Sequence, residues 1–425
     1  MIIYTVKQGD TLYEIARNFG VTPRDLENFN GFVEPSRLVV GQDVLIPVPG
    51  SQYIVTAGDS LYSIAQRYSV PLELLISANP ELSEPYTIYP GQVINIPDYP
   101  EGKYTISVNG YAYPNIDDTV LRKTLPYLTY LSIFSHSITA EGGLNSIDDK
   151  ELINTAKNFR TAPIMVVTNT EQGSGFSSEL ASTVLNDLSV RSTLINNIVS
   201  TALAKGYNGV DIDFEYIFPR DRESYNSFLS ELSDKLGENG LTLSTAIAPK
   251  LSATQVGTLY EAHDYYFHGT VVDYLIIMTY EWGYLYGPPM AVAPYSEVKK
   301  VLSYAVTEIP SEKILMGMPN YGYDWTLPYV KGRTAKILSI NEALRRAADV
   351  GAEIDYNLGS EAPFYEYSTN GVRHIVWFEN ARSTAARLQL VKDFNLGGVS
   401  YWTVNQFYEQ NWRVLENMFN IRKVL

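Results

Sequence analysis

The chain has 425 residues, too many for one ordinary domain, and its 45% hydrophobic and 19% charged content fits a globular protein with a sizeable core. A formal net charge of −15 argues against nucleic acid or an anionic membrane as partner, since both select clustered Lys and Arg. There is no cysteine and only four scattered histidines (His136, His263, His268, His374), so no disulfide, thiolate nucleophile, metal or cofactor is expected.

The opening residues "MIIYTVKQGDTLYEIA" carry no basic stretch followed by an apolar one, so no secretory signal is expected and synthesis is placed in the cytoplasm. No run of 18 apolar residues occurs, so no transmembrane helix is expected either. The 33 tyrosines are a weak hint of a sugar-binding groove, because such rings combine an apolar face with a polar tip.

Two copies of a unit come first. "YTVKQGDTLYEIARNFGVTPRDLENFN" from Tyr4 matches "YIVTAGDSLYSIAQRYSVPLELLISAN" from Tyr53, and "GQDVLIP" at Gly41 matches "GQVINIP" at Gly91. Each unit reads as strand, helix, helix, strand. "IYTV" and "QYIVT" are short β-rich runs, and Gly-Asp supplies a turn. Thr11 with Glu14 fits a helix-capping box, and Leu12, Ile15, Ala16 and Phe19 form one apolar stripe. The joint falls in "VPGSQ".

The pattern Y-x-V-x-x-G-D-[ST]-L-x-x-I-A resembles the LysM module, a βααβ domain that binds N-acetylglucosamine-containing glycans. Two modules are expected, over residues 1–49 and 50–99. The resemblance implies glycan contacts at the first turn (Gly9, Asp10, Thr11; Gly58, Asp59, Ser60) and near Asn30 and Asn79.

After "PDYPEGK" the character changes. Strand candidates are "ISVNGYAY", "LTYLSIFSHSI", "PIMVVTN", "GVDIDFEY", "LTLSTAIAP", "VVDYLIIMTYEW", "KILMGMPNYGYDW" and "LGGVSYWTVN", with amphipathic stretches between most of them. This alternation predicts an α/β protein, a (β/α)8 TIM barrel over residues 100–425, with a small α+β lobe inserted at 327–376 between the seventh and eighth strands. Within "GVDIDFEY", Asp211, Asp213 and Glu215 stand at alternate positions and share one face of an extended strand, about 7 Å apart. Inside a barrel three carboxylates cannot all ionise cheaply. At least one should stay protonated near neutral pH, as a general acid requires.

On a fourth barrel strand, "NGVDIDFE" resembles the D-G-x-D-x-D-x-E motif of glycoside hydrolase family 18. "MTYE" (278–281) resembles that family's M-x-Y-D on the sixth strand, and "SYWT" holds Trp402 where the family has an aromatic floor under the reacting sugar. The resemblance implies substrate-assisted hydrolysis. Glu215 would protonate the glycosidic oxygen, the substrate's 2-acetamido carbonyl would attack the anomeric carbon, and Asp213 would clamp the acetamido N–H. Asp211 would set the state of Asp213, Tyr280 would hold the acetamido group, and Trp402 would stack on the ring. Glu281, Trp282, Asn320, Tyr321, Asp324 and Trp325 are candidate groove residues, as is Glu379; each aromatic could instead be core.

Three departures stand out. Asn208 replaces the outermost motif Asp, Glu281 replaces the Asp after Tyr280, and the third-strand S-x-G-G is missing from "MVVTNTEQGSG". A divalent-metal phosphohydrolase could use D-x-D-x-E, but no Gly-rich phosphate loop accompanies it. A chitinase-type hydrolase, or a catalytically dead barrel kept as a glycan-binding spore coat protein, are the open alternatives. Tandem LysM units with "MTYEWGYLYGPPMAVAP" and no signal resemble the spore-cortex-lytic N-acetylglucosaminidases of spore formers. That resemblance implies a peptidoglycan partner, synthesis in the mother cell and deposition on the spore; a monomer is expected.

Overall fold

Eight apolar runs close into the barrel. In the computed structural model they are β1 (Thr105–Ala112), β2 (Tyr130–Ile138), β3 (Ala162–Thr168), β4 (Gly209–Asp213), β5 (Thr242–Ile247), β6 (Tyr274–Ile277), β7 (Ile314–Pro319) and β8 (Gly398–Trp402). Each pairs in parallel with the next, and β8 pairs with β1 to close the ring. The structure describes all residues except 33, 35–36, 48–51, 69, 71, 78, 80–81, 83–84, 97–102 and 172–174. The predicted joints at "VPGSQ" and "PDYPEGK", and part of the segment after β3, lie largely outside the described residues.

Alternation along β4 divides its side chains between two environments. Val210, Ile212 and Phe214 face the helical layer, where Phe214 stacks on Phe228 of the helix Arg222–Gly237 at 5.7 Å. The barrel interior holds Tyr111, Val166, Ala246, Tyr274, Ile276 and Leu315. A polar layer lies among them, in which Asn109 donates to Ser400 Oγ at 2.9 Å and accepts from Ser132 Oγ at 2.9 Å. The motif's glycine is a packing requirement: a Cβ on Gly209 would stand 2.1 Å from Thr242 Oγ1 on β5.

The inserted lobe starts earlier than the sequence suggests. "KILMGMPNYGYDW" forms two strands, since β7 ends at Pro319 and Gly322–Leu327 belongs to a separate antiparallel sheet with Lys336–Leu338, Asp355–Asn357, Ala362–Thr369 and Val372–Trp377. The lobe therefore runs from Gly322 to Trp377, not 327–376. The break falls at Pro319-Asn320-Tyr321-Gly322, where Pro, Asn and Gly are turn formers that the one-strand reading passed over. The lobe helix Ile340–Val350 begins on a Ser339–Glu342 capping box.

Each N-terminal unit folds as βααβ. The first has helices Leu12–Asn18 and Pro23–Asn30 between the paired strands Ile2–Thr5 and Asp43–Ile46. The second has Leu61–Arg67 and Leu72–Ser77 between Gln52–Ile54 and Val93–Asn95.

The first unit is docked on the barrel and lobe. Asp43 is buried and takes Arg382 Nε at 2.7 Å and Arg382 N at 3.0 Å. Gln410 donates to Asn30 Oδ1 at 2.8 Å and to Asp43 O at 2.9 Å. Ile354 N donates to Val40 O at 2.9 Å, so close that a Cβ on Gly41 would sit 1.8 Å from Ile354 O. In the second unit the residue matching Asp43 is Val93, 45% exposed.

Burial pushes the Asp43 carboxyl up to about 6 even though Arg382 pulls it down. Removing the guanidinium in Arg382→Ala leaves an unpaired buried acid and should cost about 1–3 kcal/mol. Asp43 then binds its proton more tightly in the folded state, so the loss should be larger at pH 8 than at pH 5. Urea denaturation at both pH values checks this; equal losses would mean Asp43 carries no buried charge.

Candidate active site

The site is built from the C-terminal ends of the barrel strands. Asp211, deepest of the three acids, is fully buried and saturated: Tyr111 OH donates to Oδ2 at 2.6 Å and Ser244 Oγ donates to Oδ1 at 2.7 Å. Burial pushes it up to about 6, and those two donors limit the rise. Asp213 is buried at the last position of β4, raised well above the usual carboxylate range by burial and by the charges of Glu215 and Asp211. Its Oδ1 has no hydrogen-bond partner among the described residues.

Glu215 lies beyond the regular strand. Sequence alternation extends β4 through Tyr216, but its ladder stops at Asp213, paired with Thr168. The following peptides are held by side chains instead. Asn169 Oδ1 accepts the Glu215 N–H at 2.9 Å while its Nδ2 donates to the Glu215 carbonyl at 2.9 Å. His263 Nδ1 accepts from Ala248 N at 2.9 Å, so its Nε2 carries the hydrogen and donates to Phe214 O at 2.9 Å. Burial holds His263 down to about 4, keeping it neutral. Ser178 Oγ donates to the carbonyl of Tyr216, a residue in the left-handed region at φ 56°. Burial, and secondarily the Glu281 charge, push Glu215 up to about 7.

Tyr280 and Glu281 follow β6. Tyr280 is kept neutral, its pKa driven well above 10 by burial and by the charges of Asp213 and Glu215. Glu281, at φ 68°, accepts from Tyr321 OH and from Tyr323 OH at 3.0 and 3.1 Å. Burial raises its pKa against the pull of those two hydroxyls. Trp402 ends β8 and packs edge-on against Phe134, Tyr111 and Tyr113, at centroid distances of 5.0, 5.4 and 5.9 Å. Asp213, Glu215, Tyr280, Glu281 and Trp402 line one cavity of about 270 Å³. It opens into a groove of about 750 Å³ that runs past Asn320 and Tyr321 to the lobe.

Other candidates lie elsewhere. Asp324 is buried inside the lobe, bound to Arg346, to Tyr367 OH at 2.7 Å and to His374 Nδ1 at 3.0 Å. Trp325 is lobe core, its Nε1 donating to Gly287 O at 2.9 Å. Both lie past the strand break, in the lobe strand Gly322–Leu327. Trp282 packs against the core and does not line the groove, and Glu379 is buried in an ion pair with Arg387 at 2.6 Å. Asn320 borders the groove but spends its amide on Thr403 O at 2.9 Å and Gln406 O at 2.8 Å, bracing the chain after Trp402. Asn208 lies at the opposite end of β4, away from the acids, and His136 is held by Asp149 at 3.1 Å.

In the N-terminal units, Asn30 and Asn79 are buried braces. Asn30 links Leu26 O to the Leu45 peptide and Asn79 links Leu75 O to the Asn95 peptide, so neither amide is available to a sugar. Asp10 and Asp59 lock their turns, accepting Tyr4 OH at 2.7 Å and Tyr53 OH at 2.5 Å. Thr11 and Ser60 cap helices, while Gly9, Thr11, Gly58 and Ser60 stay exposed. Tyr111, Ser244 and Asn169 escaped the sequence reading. Inward alternation on β1 and β5 could have found the first two, and polar residues just past a barrel strand the third.

A closed parallel barrel with a protonatable carboxyl pair and an aromatic floor at its C-terminal mouth defines a glycoside hydrolase. The chain belongs to the glycosyl hydrolases family 18, whose model matches residues 110–406, and LysM domains match residues 4–47 and 53–97. It is similar to the cortical fragment-lytic enzyme of Bacillus subtilis, 42% identical over 100% of this chain and 99% of that protein. The Bacillus anthracis protein of the same name is 39% identical over 99% of each. A crystal structure of the Bacillus megaterium spore cortex-lytic enzyme SleL superposes with a TM-score of 0.89 at 38% identity, covering 100% of this chain and 99% of that one.

The raised pKa values have a thermodynamic consequence. The folded state retains protons on Asp211, Asp213 and Glu215 that the unfolded chain releases above about pH 4, so stability falls as pH rises from about 4 through 7. Glu215→Gln removes one such group. It should gain on the order of 1–3 kcal/mol over wild type at pH 8 and little at pH 4.5, read from urea midpoints. A gain of the same size at both pH values would show that burial does not suppress ionisation here.

Proposed function

We propose that this chain hydrolyses the β-1,4 bond after N-acetylglucosamine in spore-cortex peptidoglycan, by substrate-assisted retaining catalysis, with its LysM modules holding the glycan. It is made in the mother cell and deposited on the spore. The observation that carries the mechanism is the buried Oδ1 of Asp213, without a hydrogen-bond partner among the described residues, two residues before a carboxyl group that burial pushes up to about 7. The names of the relatives support the substrate.

An acetamido N–H would supply the partner that Asp213 Oδ1 lacks. Glu215 gives its proton to the glycosidic oxygen, and the acetamido carbonyl oxygen attacks the anomeric carbon as that bond breaks. Asp213 suits a clamp better than a nucleophile, since burial, and after it the charges of Glu215 and Asp211, keep negative charge off it in the resting site. As the oxazolinium forms, its N–H donates to Asp213 Oδ1, while Tyr111 and Ser244 fix Asp211 beneath it. Glu215, now ionised, takes a proton from the water that opens the ring. Trp402 forms the apolar floor, and Tyr280 stands beside the acetamido group as a neutral hydroxyl.

Soluble cortex glycan and chitin oligosaccharides, digested in parallel and borohydride-reduced, should yield new reducing ends on N-acetylglucosamine from the cortex glycan by mass spectrometry. Reducing ends on the muramic sugar, or cleavage of chitin alone, would overturn the substrate. Glu215→Gln should lose at least about 10²-fold in kcat while still binding glycan. The wild-type kcat/KM should fall on the alkaline side with an apparent pKa of about 7.

A further inference from the structure

We propose that Asn169 is the positioning residue of the general acid, its side chain standing in for a missing rung of the β3–β4 ladder. This rests on the assignment of Glu215 as acid. The two strands pair in register from Gly209 opposite Ile164 to Asp213 opposite Thr168, and both end there. Glu215, two residues further on, has no ladder to hold it, yet a donor must be kept within a fraction of an ångström of the glycosidic oxygen.

The Asn169 amide fills that gap. It gives one acceptor and one donor to the two polar groups of Glu215's own backbone, both at 2.9 Å, as an adjacent strand would. Its Nδ2 also donates to Ser177 O at 3.0 Å, and its main-chain carbonyl accepts from Ser177 N at 2.9 Å. Asn169 is fully buried, with both amide atoms engaged, so its rotamer is fixed from two sides. It does not line the catalytic cavity, although its neighbour Thr170 and Phe176 do. Asn169 therefore acts through Glu215 and touches no substrate.

Few other side chains could do this. Aspartate has no donor for the Glu215 carbonyl or for Ser177 O. Glutamine carries its amide one methylene too far, and serine cannot span both groups. His263 and Ser178 hold the carbonyls on either side, at Phe214 and Tyr216. Among these three clamps, Asn169 alone bonds both the N–H and the carbonyl of Glu215 itself.

The test compares Asn169→Ala, Asn169→Asp and Glu215→Gln in the full-length chain on a soluble cortex glycan, with melting temperatures measured alongside. Asn169→Ala should lower kcat by about 10- to 100-fold with KM within about threefold, because Trp402 and Tyr280 keep their places. Asn169→Asp nearly preserves the shape but brings a like charge to Glu215, so kcat should fall and the alkaline limb of kcat/KM should move to higher pH. A role in folding alone would lower melting temperature without moving that limb. If Asn169→Ala does not fold, the aspartate variant decides. Unchanged kcat and pH profile in the folded variants, with Glu215→Gln inactive, would overturn the positioning role and leave the acid assignment standing. An active Glu215→Gln would overturn the acid assignment itself.

Discussion

Three carboxyl groups in a dry barrel interior are the constraint on which the rest of this structure turns. Desolvation opposes charge on each of them, and each opposes charge on the next. The fold resolves the conflict by depth. Asp211 has both oxygens filled by Tyr111 and Ser244, Asp213 is left short of a partner, and Glu215 reaches the cavity. The gradient runs from satisfied to unsatisfied along a single strand, toward the place where a substrate can complete it. Electrostatic discomfort is thereby concentrated at the mouth.

The same constraint explains how the end of β4 is treated. A continued ladder would bury the Glu215 peptide in another strand and narrow the mouth. Handing the peptides of residues 214 to 216 to Asn169, His263 and Ser178 keeps the backbone satisfied while leaving the cavity open. His263 suits this because burial keeps it neutral, so its tautomer, and with it the donor to Phe214, is settled by Ala248 N–H. On the far wall, Glu281 is restrained by the hydroxyls of Tyr321, in the crossing, and Tyr323, at the start of the lobe, so the insertion helps to shape the groove as well as border it.

What was legible in the sequence was periodic. Alternation along β4 sorted Asp211 and Asp213 from Val210 and Ile212 correctly, because side-chain direction in a strand depends on spacing alone. The repeat and the eight alternating strand–helix units were visible for the same reason. What was hidden depended on contacts between distant positions. Asp324 and Trp325 looked like groove residues because the turn signal at Pro319, Asn320 and Gly322 does not say which sheet the chain enters next. Asn30 and Asn79 came in through the LysM resemblance as groove residues, yet each is the amide that ties a helix to a strand. Asn169 escaped because its partner lies 46 positions away and its role is to imitate main chain.

The docking of the first module means that the two copies are not interchangeable. In the first, an acid lies buried against Arg382; in the second, the matching Val93 is exposed at a surface. Exchanging the copies would set a valine against that guanidinium and strand it, while the displaced aspartate would sit harmlessly in water. Their order along the chain is thus written into the barrel surface.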